Sequence, residues 1–216
     1  MQVLKAKAEV LLTSTTMYEE MLKNIEQAGR ICYKSEDKIT NDSAEKFIEM
    51  LIKRRHESVL EHNSISVLVQ CDRGVTHEIV RHRIASYSQE STRYCNYSKD
   101  KFGKEINVID IGTGFKYNYN NENDIDKYKE WLYAMEDAEK HYMKMIELGA
   151  TPQEARSVLP TSLKTEIVIT MNIREWRHFF KLRSSNAAHP QIREVSDMIL
   201  ERFIILFPVF FKDLKP

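Results

Sequence analysis

Residues 64–71 alternate Ile65, Val67 and Val69 with polar neighbours, the period of two expected of a strand that buries one face. The opening segment behaves alike, with Val3, Lys5, Lys7 and Glu9 alternating against Leu4, Ala6, Ala8 and Val10, and residues 165–171 are rich in Ile, Val and Thr. Between these runs the apolar period changes to that of a helix. The set Thr16-Met-Tyr-Glu19 reads as a capping box for a helix to about Tyr33. Asn41, Asp42 and Ser43 offer caps for a second helix, whose apolar face is Phe47, Ile48, Leu51 and Ile52 and which breaks near Lys53-Arg54-Arg55.

After Asp72-Arg73-Gly74 a short helix is expected over residues 75–82, leading into an irregular polar stretch to about Ser98. Residues 118–124 are rich in Asn and read as a loop, an exposed flap near Asn120. A long helix over 124–148 is closed by Gly149. Thr151-Pro152 places a cap and a first-turn proline before a short helix that Pro160 stops. The last two helices cover 172–182 and 191–207 and end at Pro208. No repeat of a solenoid period is present. The expected fold class is α+β, one domain over residues 1–216, with a mainly antiparallel sheet flanked by long helices.

With 216 residues, 42% apolar and 30% charged, the chain has the composition of a globular protein with a sizeable core. No apolar run reaches the roughly 20 residues of a membrane helix, and the first residues lack the apolar core of a secretory signal, so a cytoplasmic location without membrane partners is expected. Cys32, Cys71 and Cys95 show no CxxC spacing, which fits reduced, buried thiols and no metal site. Lys plus Arg equals Asp plus Glu at 32 each, so no overall bias draws the chain to a nucleic-acid backbone. An anion must be held by a local cluster.

One such cluster stands out. From Arg81 the chain reads Arg-His-Arg-Ile-Ala-Ser-Tyr-Ser-Gln-Glu-Ser-Thr-Arg-Tyr, which gathers three arginines, a histidine and several hydroxyls. Guanidinium groups bind phosphate bidentately, and Ser or Thr hydroxyls and loop amides fill the remaining oxygens. The bland alternative is a solvated loop whose arginines pair with Glu78 and Glu90.

The order of residues goes further than the composition. Arg81-His82-Arg83, seven intervening residues, then Ser91 and Arg93, resembles the signature of the flavin-dependent thymidylate synthases. His56-Glu57-Ser58-Val59-Leu60-Glu61-His62 is similar to that family's His-Glu-x-x-x-Glu-His segment. Ala155-Arg156-x-x-Leu159-Pro160, Asn172-x-Arg174, Leu182-Arg183 and His189 follow in order, so the resemblance runs from about residue 56 to 193. Glu78 stands where many relatives carry Gln, and the interval from Arg183 to His189 is longer than in some.

The resemblance implies methylation of dUMP to dTMP, with methylenetetrahydrofolate as carbon donor and FAD, reduced by NADPH, as hydride carrier. It implies that Arg81, Ser91, Arg93, Arg156 and Arg183 contact dUMP, with Gln89, Glu90, Ser91 and Thr92 lending backbone amides and Glu78 at the substrate side. Arg183 is implied as the catalytic residue, a fixed cation against the uracil ring. For FAD the resemblance points to Ser58, Arg81, His82, Arg83, Gln89, Asn172, Arg174 and His178, with His56 and Glu61 on the flavin and folate side. It also implies a homotetramer with sites shared between subunits, and no cysteine nucleophile.

Simpler readings exist for several of these residues. Arg183 could be a helix-end arginine serving the macrodipole, and Arg174, Glu175, Arg177 and His178 could form a surface salt-bridge face. His178, four residues after Arg174, would share its helix face. A metal-dependent hydrolase is disfavoured because His56-Glu57 and His77-Glu78 lack a second histidine at i+4. A nucleic-acid module using Arg81, Arg83, Arg93 and Tyr87, Tyr94 and Tyr97 is weakened by zero net charge. No GxGxxG or P-loop is present, so FAD would have to sit between arginine-bearing loops and helices.

Overall fold

The computed structural model describes residues 1–214. In chain order its elements are β1 (Gln2–Leu4), β2 (Lys7–Leu11), α1 (Met17–Tyr33), α2 (Ala44–Lys53), β3 (Ser64–Asp72), α3 (Arg73–Ile79), β4 (Ala85–Gln89), β5 (Asn107–Ile109), α4 (Ile111–Gly114), α5 (Glu122–Glu147), α6 (Pro152–Ala155), β6 (Lys164–Asn172), α7 (Ile173–Arg183), α8 (Pro190–Leu206) and α9 (Pro208–Phe211). The fold is α+β. A four-stranded antiparallel sheet has the order β2-β3-β6-β4, and β1 and β5 form a separate parallel pair.

The alternation read in residues 64–71 does what it predicted. Ile65, Val67, Val69 and Cys71 of β3 point into one core with Ile167, Ile169 and Met171 of β6, beneath α1, α2, α7 and α8. A smaller apolar cluster joins Tyr142 and Met135 of α5 to Val108, Leu163 and Tyr97. No helix among the described residues is long and apolar enough to cross a membrane.

Several expectations need correction. The opening strand is two strands in different sheets, interrupted at Lys5 and Ala6, because β1 pairs with β5 while β2 pairs with β3. Thr16 precedes α1 but forms no capping box; its backbone sits at ψ 8°, outside the extended region a cap requires. Its hydroxyl instead donates to Glu20. The short helix ends at Ile79, and the stretch expected to be irregular contains β4, an edge strand on β6. The Asn-rich loop is shorter than expected, since Asn121 already caps α5. Pro208 closes α8 but also opens α9. Cys32 is exposed, not buried.

Other local signals hold. Gly149 follows the C-cap of α5 with φ of +94°, the left-handed conformation glycine adopts freely. Thr151 and Glu154 form a reciprocal capping box with Pro152 at the start of α6.

Two strand-to-helix junctions position the site. β3 runs directly into α3, whose first turn Asp72 caps, and β6 runs directly into α7, capped by Asn172. In the antiparallel register Asp72 pairs with Lys164 and Ser64 with Asn172, so the two helices leave from opposite ends of the strand pair. α7, 11 residues and about 16 Å long, and α3, 7 residues and about 10 Å long, together cover most of the separation between those ends, and Arg183 at the end of α7 meets Glu78 near the end of α3.

Candidate active site

The turn from Val80 to Ile84 joins α3 to β4 and holds the first Arg-His-Arg residues. Tyr87 of β4 pins it, its hydroxyl donating to the carbonyls of His82 and, at 3.0 Å, Ile79. This turns His82 inward, where it is 4% exposed and lies 4.9 Å from the Phe179 ring, and leaves Arg81 and Arg83 outward and exposed. The alternating inward and outward directions of the motif follow from that one anchoring.

His82 sits in the middle of a hydrogen-bonded chain of four side chains. Arg183 Nε donates to His82 Nε2 at 3.2 Å, and His82 Nδ1 lies 2.9 Å from Glu175 Oε1. Arg183 also forms an ion pair with the Glu78 carboxylate and donates at 2.9 Å to the Glu78 carbonyl. A guanidinium has donors only, so the Nε2 of His82 must accept. The single proton of the neutral imidazole is therefore on Nδ1, pointing at the Glu175 carboxylate. Burial lowers the His82 pKa from its usual value, and Arg183 and His178 add to the lowering, while Glu175 opposes it. Neutral His82 is thus the form that fits Arg183.

That shift has a stability consequence. A histidine whose folded-state pKa is lowered contributes stability fully above its unfolded value, here 6.5, and loses it as the pH falls through the folded-state value. Unfolding free energy measured by urea titration should therefore fall more steeply below pH 6.5 for the natural chain than for His82→Asn. Parallel pH curves for the two would contradict it.

Two cavities flank the chain of four. The first, of about 410 Å³, is lined by Glu57, Glu61, Ile84, Asn172, Arg174, Glu175, His178 and Lys181. Arg174, His178 and Lys181 recur at i, i+4 and i+7 and so share a face of α7, as the shared-face reading of Arg174 and His178 expects. The second cavity, of about 240 Å³, is lined by Asp72, Gly74, Glu78, Thr161, His189 and Gln191 among others. Burial raises the Asp72 pKa, and Asp72 caps α3 while accepting from Gln191. Glu175 belongs to the first cavity and Glu78 to the second, so the four-residue chain bridges them.

The bland pairings drawn from sequence are not those found. Glu78 takes Arg183, and Glu90 takes Lys164 and the Tyr97 hydroxyl. Arg177 is buried and is anchored through Asp213 and the Phe210 carbonyl, so it takes no part in a surface salt-bridge face on α7, while Arg174 pairs outward with Glu61. Arg183 does end α7, yet its side chain serves Glu78 and His82, not the helix carbonyls.

Of the sequence candidates, Glu78, His82 and Arg183 touch directly, and Asn172, Arg174 and His178 share the first cavity with Glu61. Asn172 Oδ1 is engaged in capping α7, and Arg174 pairs with Glu61. Glu90, Ser91, Thr92 and Arg93 form the turn after β4, where Arg93 Nε donates to Gln153, three residues before Arg156. That turn is tied to the second cavity's wall: Arg73 Nη1 donates to the Glu90 carbonyl, and the Arg73 and Gly74 amides donate to the Thr161 carbonyl. Gln89 uses its side chain internally, on Thr76 and Thr165. Ser58 and His56 do not line either cavity; His56 is bonded to and stacked on Tyr33. The sequence reading missed Ile84, Lys181 and the role of Glu175. The i+7 spacing from Arg174 was the available signal for Lys181.

His82, Glu175 and His178 also bring three ligand-capable atoms within 4.8 Å of one another. A metal on His82 Nδ1 would force the imidazole proton onto Nε2, against the Arg183 Nε–H. His82 and Glu175 belong instead to the hydrogen-bonded chain that ends on Arg183, and His178 meets His82 only through an edge-on ring contact, with centroids 5.6 Å apart.

Comparison with known proteins shows what the chain is similar to. The family described as "Thymidylate synthase complementing protein" matches residues 11–209. The chain is 34% identical to a flavin-dependent thymidylate synthase of Pyrococcus furiosus, over 89% of this chain and 78% of that protein. It is 38% identical to one of Pyrococcus horikoshii, over 83% and 69%, and 32% identical to one of Geobacter sulfurreducens, over 88% and 80%. Among solved structures it is similar to a UMP/dUMP methylase, PolB, of Streptomyces cacaoi bound with 5-Br dUMP, with a TM-score of 0.78 and 26% identity over 98% of this chain and 96% of that one.

Proposed function

The chain belongs to the thymidylate synthase complementing protein family, and from that premise we propose that it methylates dUMP to dTMP, with methylenetetrahydrofolate as carbon donor and FAD, reduced by NADPH, as hydride carrier. Residues 1–216 act in this reading as one domain. The observation that carries it is the Arg183 guanidinium, held by Glu78 and by neutral His82 between the two cavities.

Arg183 is always charged, and its two fixed partners set the plane of its fork. Placed against a uracil ring, that cation stabilises negative charge on the ring nitrogen and oxygens and so raises electron density at C5. Arg93 and Arg156 are exposed around the turn after β4 and Arg81 in the turn before it; these guanidiniums offer charge-assisted donors to the phosphate, with the Ser91 hydroxyl and the amides of Gln89, Ser91 and Thr92, the Glu90 amide being already given to the Glu166 carbonyl. A thiolate route through C6 has little support: burial raises the pKa of both Cys71 and Cys95, so neither is ionised at neutral pH.

Flavin, when bound, would supply the hydride. The first cavity offers donors to one end of such a ligand, since Arg174, His178 and Lys181 line it from one side of α7 together with Asn172, opposite the carboxylates of Glu57 and Glu61. Arg81, His82 and Arg83 adjoin it through Ile84, while Ser58 follows its Glu57 wall in sequence. At about 410 Å³ the cavity is at the small end of the ligand-pocket range of about 300–1,000 Å³ and takes only part of a dinucleotide. The remainder would come from another subunit of a homotetramer. Ile84, 67% exposed, and Tyr94, 78% exposed, are apolar surface of the kind a partner chain covers. Product analysis after incubation with dUMP, methylenetetrahydrofolate, FAD and NADPH tests the reading. Formation of dTMP that ceases when any one component is withheld is expected; its absence from the complete mixture removes the reading.

A further inference from the structure

We propose that Glu175 is a positioning residue: it fixes the tautomer of His82 and, through His82, the orientation of the Arg183 guanidinium. The inference rests on the catalytic placement of Arg183 given above. It stands on three contacts. Glu175 Oε1 is 2.9 Å from His82 Nδ1, His82 Nε2 is 3.2 Å from Arg183 Nε, and the Arg183 fork closes on the side chain and carbonyl of Glu78.

An imidazole buried to 4% exposure has two neutral tautomers of similar intrinsic energy, and only one of them offers Nε2 as an acceptor. A carboxylate at Nδ1 selects that one, because it accepts a hydrogen bond and cannot donate one. Without Glu175 the proton is free to move to Nε2, where it opposes the Arg183 N–H. The guanidinium must then turn away and loses one of the two partners that set its plane. A displaced cation still binds anions but no longer meets the ring where charge develops.

Glu175 is well placed for this duty. The amide of Glu175 is held by Asn172 at the first turn of α7, so its backbone is set by the helix cap, and its side chain is 12% exposed. The groups facing His82 are Glu175, His178 and Arg183 from α7 and the Tyr87 hydroxyl on its own carbonyl. Among them only Glu175 bonds to Nδ1.

The test compares Glu175→Leu, which removes the acceptor, with Glu175→Gln, which keeps an acceptor oxygen and gives up the charge. In E175L assayed at saturating FAD, kcat for dTMP formation should fall about 10- to 100-fold, as when the outer partner of a functional histidine is lost, with the KM for dUMP little changed. E175Q should recover most of kcat. A role confined to holding the turn against α7 would lower both variants together with their melting temperatures, and that result overturns the proposal. So does an E175L enzyme with natural kcat. A natural chain that makes no dTMP is a different outcome, visible before any variant is assayed, and it removes the functional reading itself. Neutron diffraction on crystals of the natural protein gives a readout independent of activity. A deuteron on His82 Nδ1 and none on Nε2 is expected, and a deuteron on Nε2 overturns the proposal.

Discussion

Arg183→Ala should lower kcat for dTMP formation by at least about 10²- to 10³-fold, the loss seen when a preorganised charge-stabilising donor is removed, while flavin stays bound. The reasons are geometric. Arg183 is the last residue of α7, and its side chain contributes nothing to the apolar core. Glu78, left without its ion pair, is 41% exposed in its side chain and turns to water without cost to the fold. The cavity lined by Asn172, Arg174 and His178 does not include Arg183, so the flavin-side donors stay in place. Arg183→Lys restores the charge but not the Nε–H that meets His82, and should recover only part of the rate. Flavin content read from the protein's visible absorbance, together with dTMP yield, separates the two functions. Synthase activity persisting in R183A would remove Arg183 from the catalytic role.

Trp176→Ala should have the largest effect on stability, roughly 3–5 kcal/mol. Trp176 is fully buried on the core side of α7, packed against Phe179, Phe180 and Phe203, with ring centroids 5.1 to 5.7 Å away. Its indole N–H donates at 2.9 Å to the Ile65 carbonyl of β3, so truncation leaves a cavity and removes a buried hydrogen bond at once. In a chain of this length the loss corresponds to a fall in melting temperature of roughly 6–20 °C. The same helix carries Arg174, Glu175, His178 and Arg183 on its other sides, so loosening it should lower activity below the melting transition as well. Thermal unfolding of W176A checks the first part; a melting temperature within a degree or two of the natural chain would contradict it.

The parts of this molecule legible in the sequence are those whose signal is local. β3 declared itself by alternation, because one face is packed under helices, and β6 by its Ile, Val and Thr content. Gly149 and Thr151-Pro152 marked their helix ends because the conformations there demand those residues. β4 escaped because Ser86 and Ser88 face outward and Ala85, Tyr87 and Gln89 are only half-buried; its existence depends on pairing with β6, about 80 residues away. The split of the opening strand escaped for a similar reason, since β1 finds its partner only in β5.

The site divides along the same line. The arginines, His82 and Arg183 were legible as an ordered motif. Their partnerships were not: Glu175 meets His82 across 93 residues, and Arg183 meets Glu78 across 105. Sequence proximity suggested that Glu78 and Glu90 neutralise the neighbouring arginines. The fold instead assigns both to residues further along the chain, which leaves Arg81, Arg83 and Arg93 free of carboxylate partners among the described residues.

The central claim, a flavin held beside a dUMP site, is tested most directly by following the visible absorbance of the purified protein under anaerobic conditions. The protein should show the flavin band, NADPH should bleach it, and dUMP should make the bleaching faster. A colourless protein that also takes up no added FAD would contradict the account.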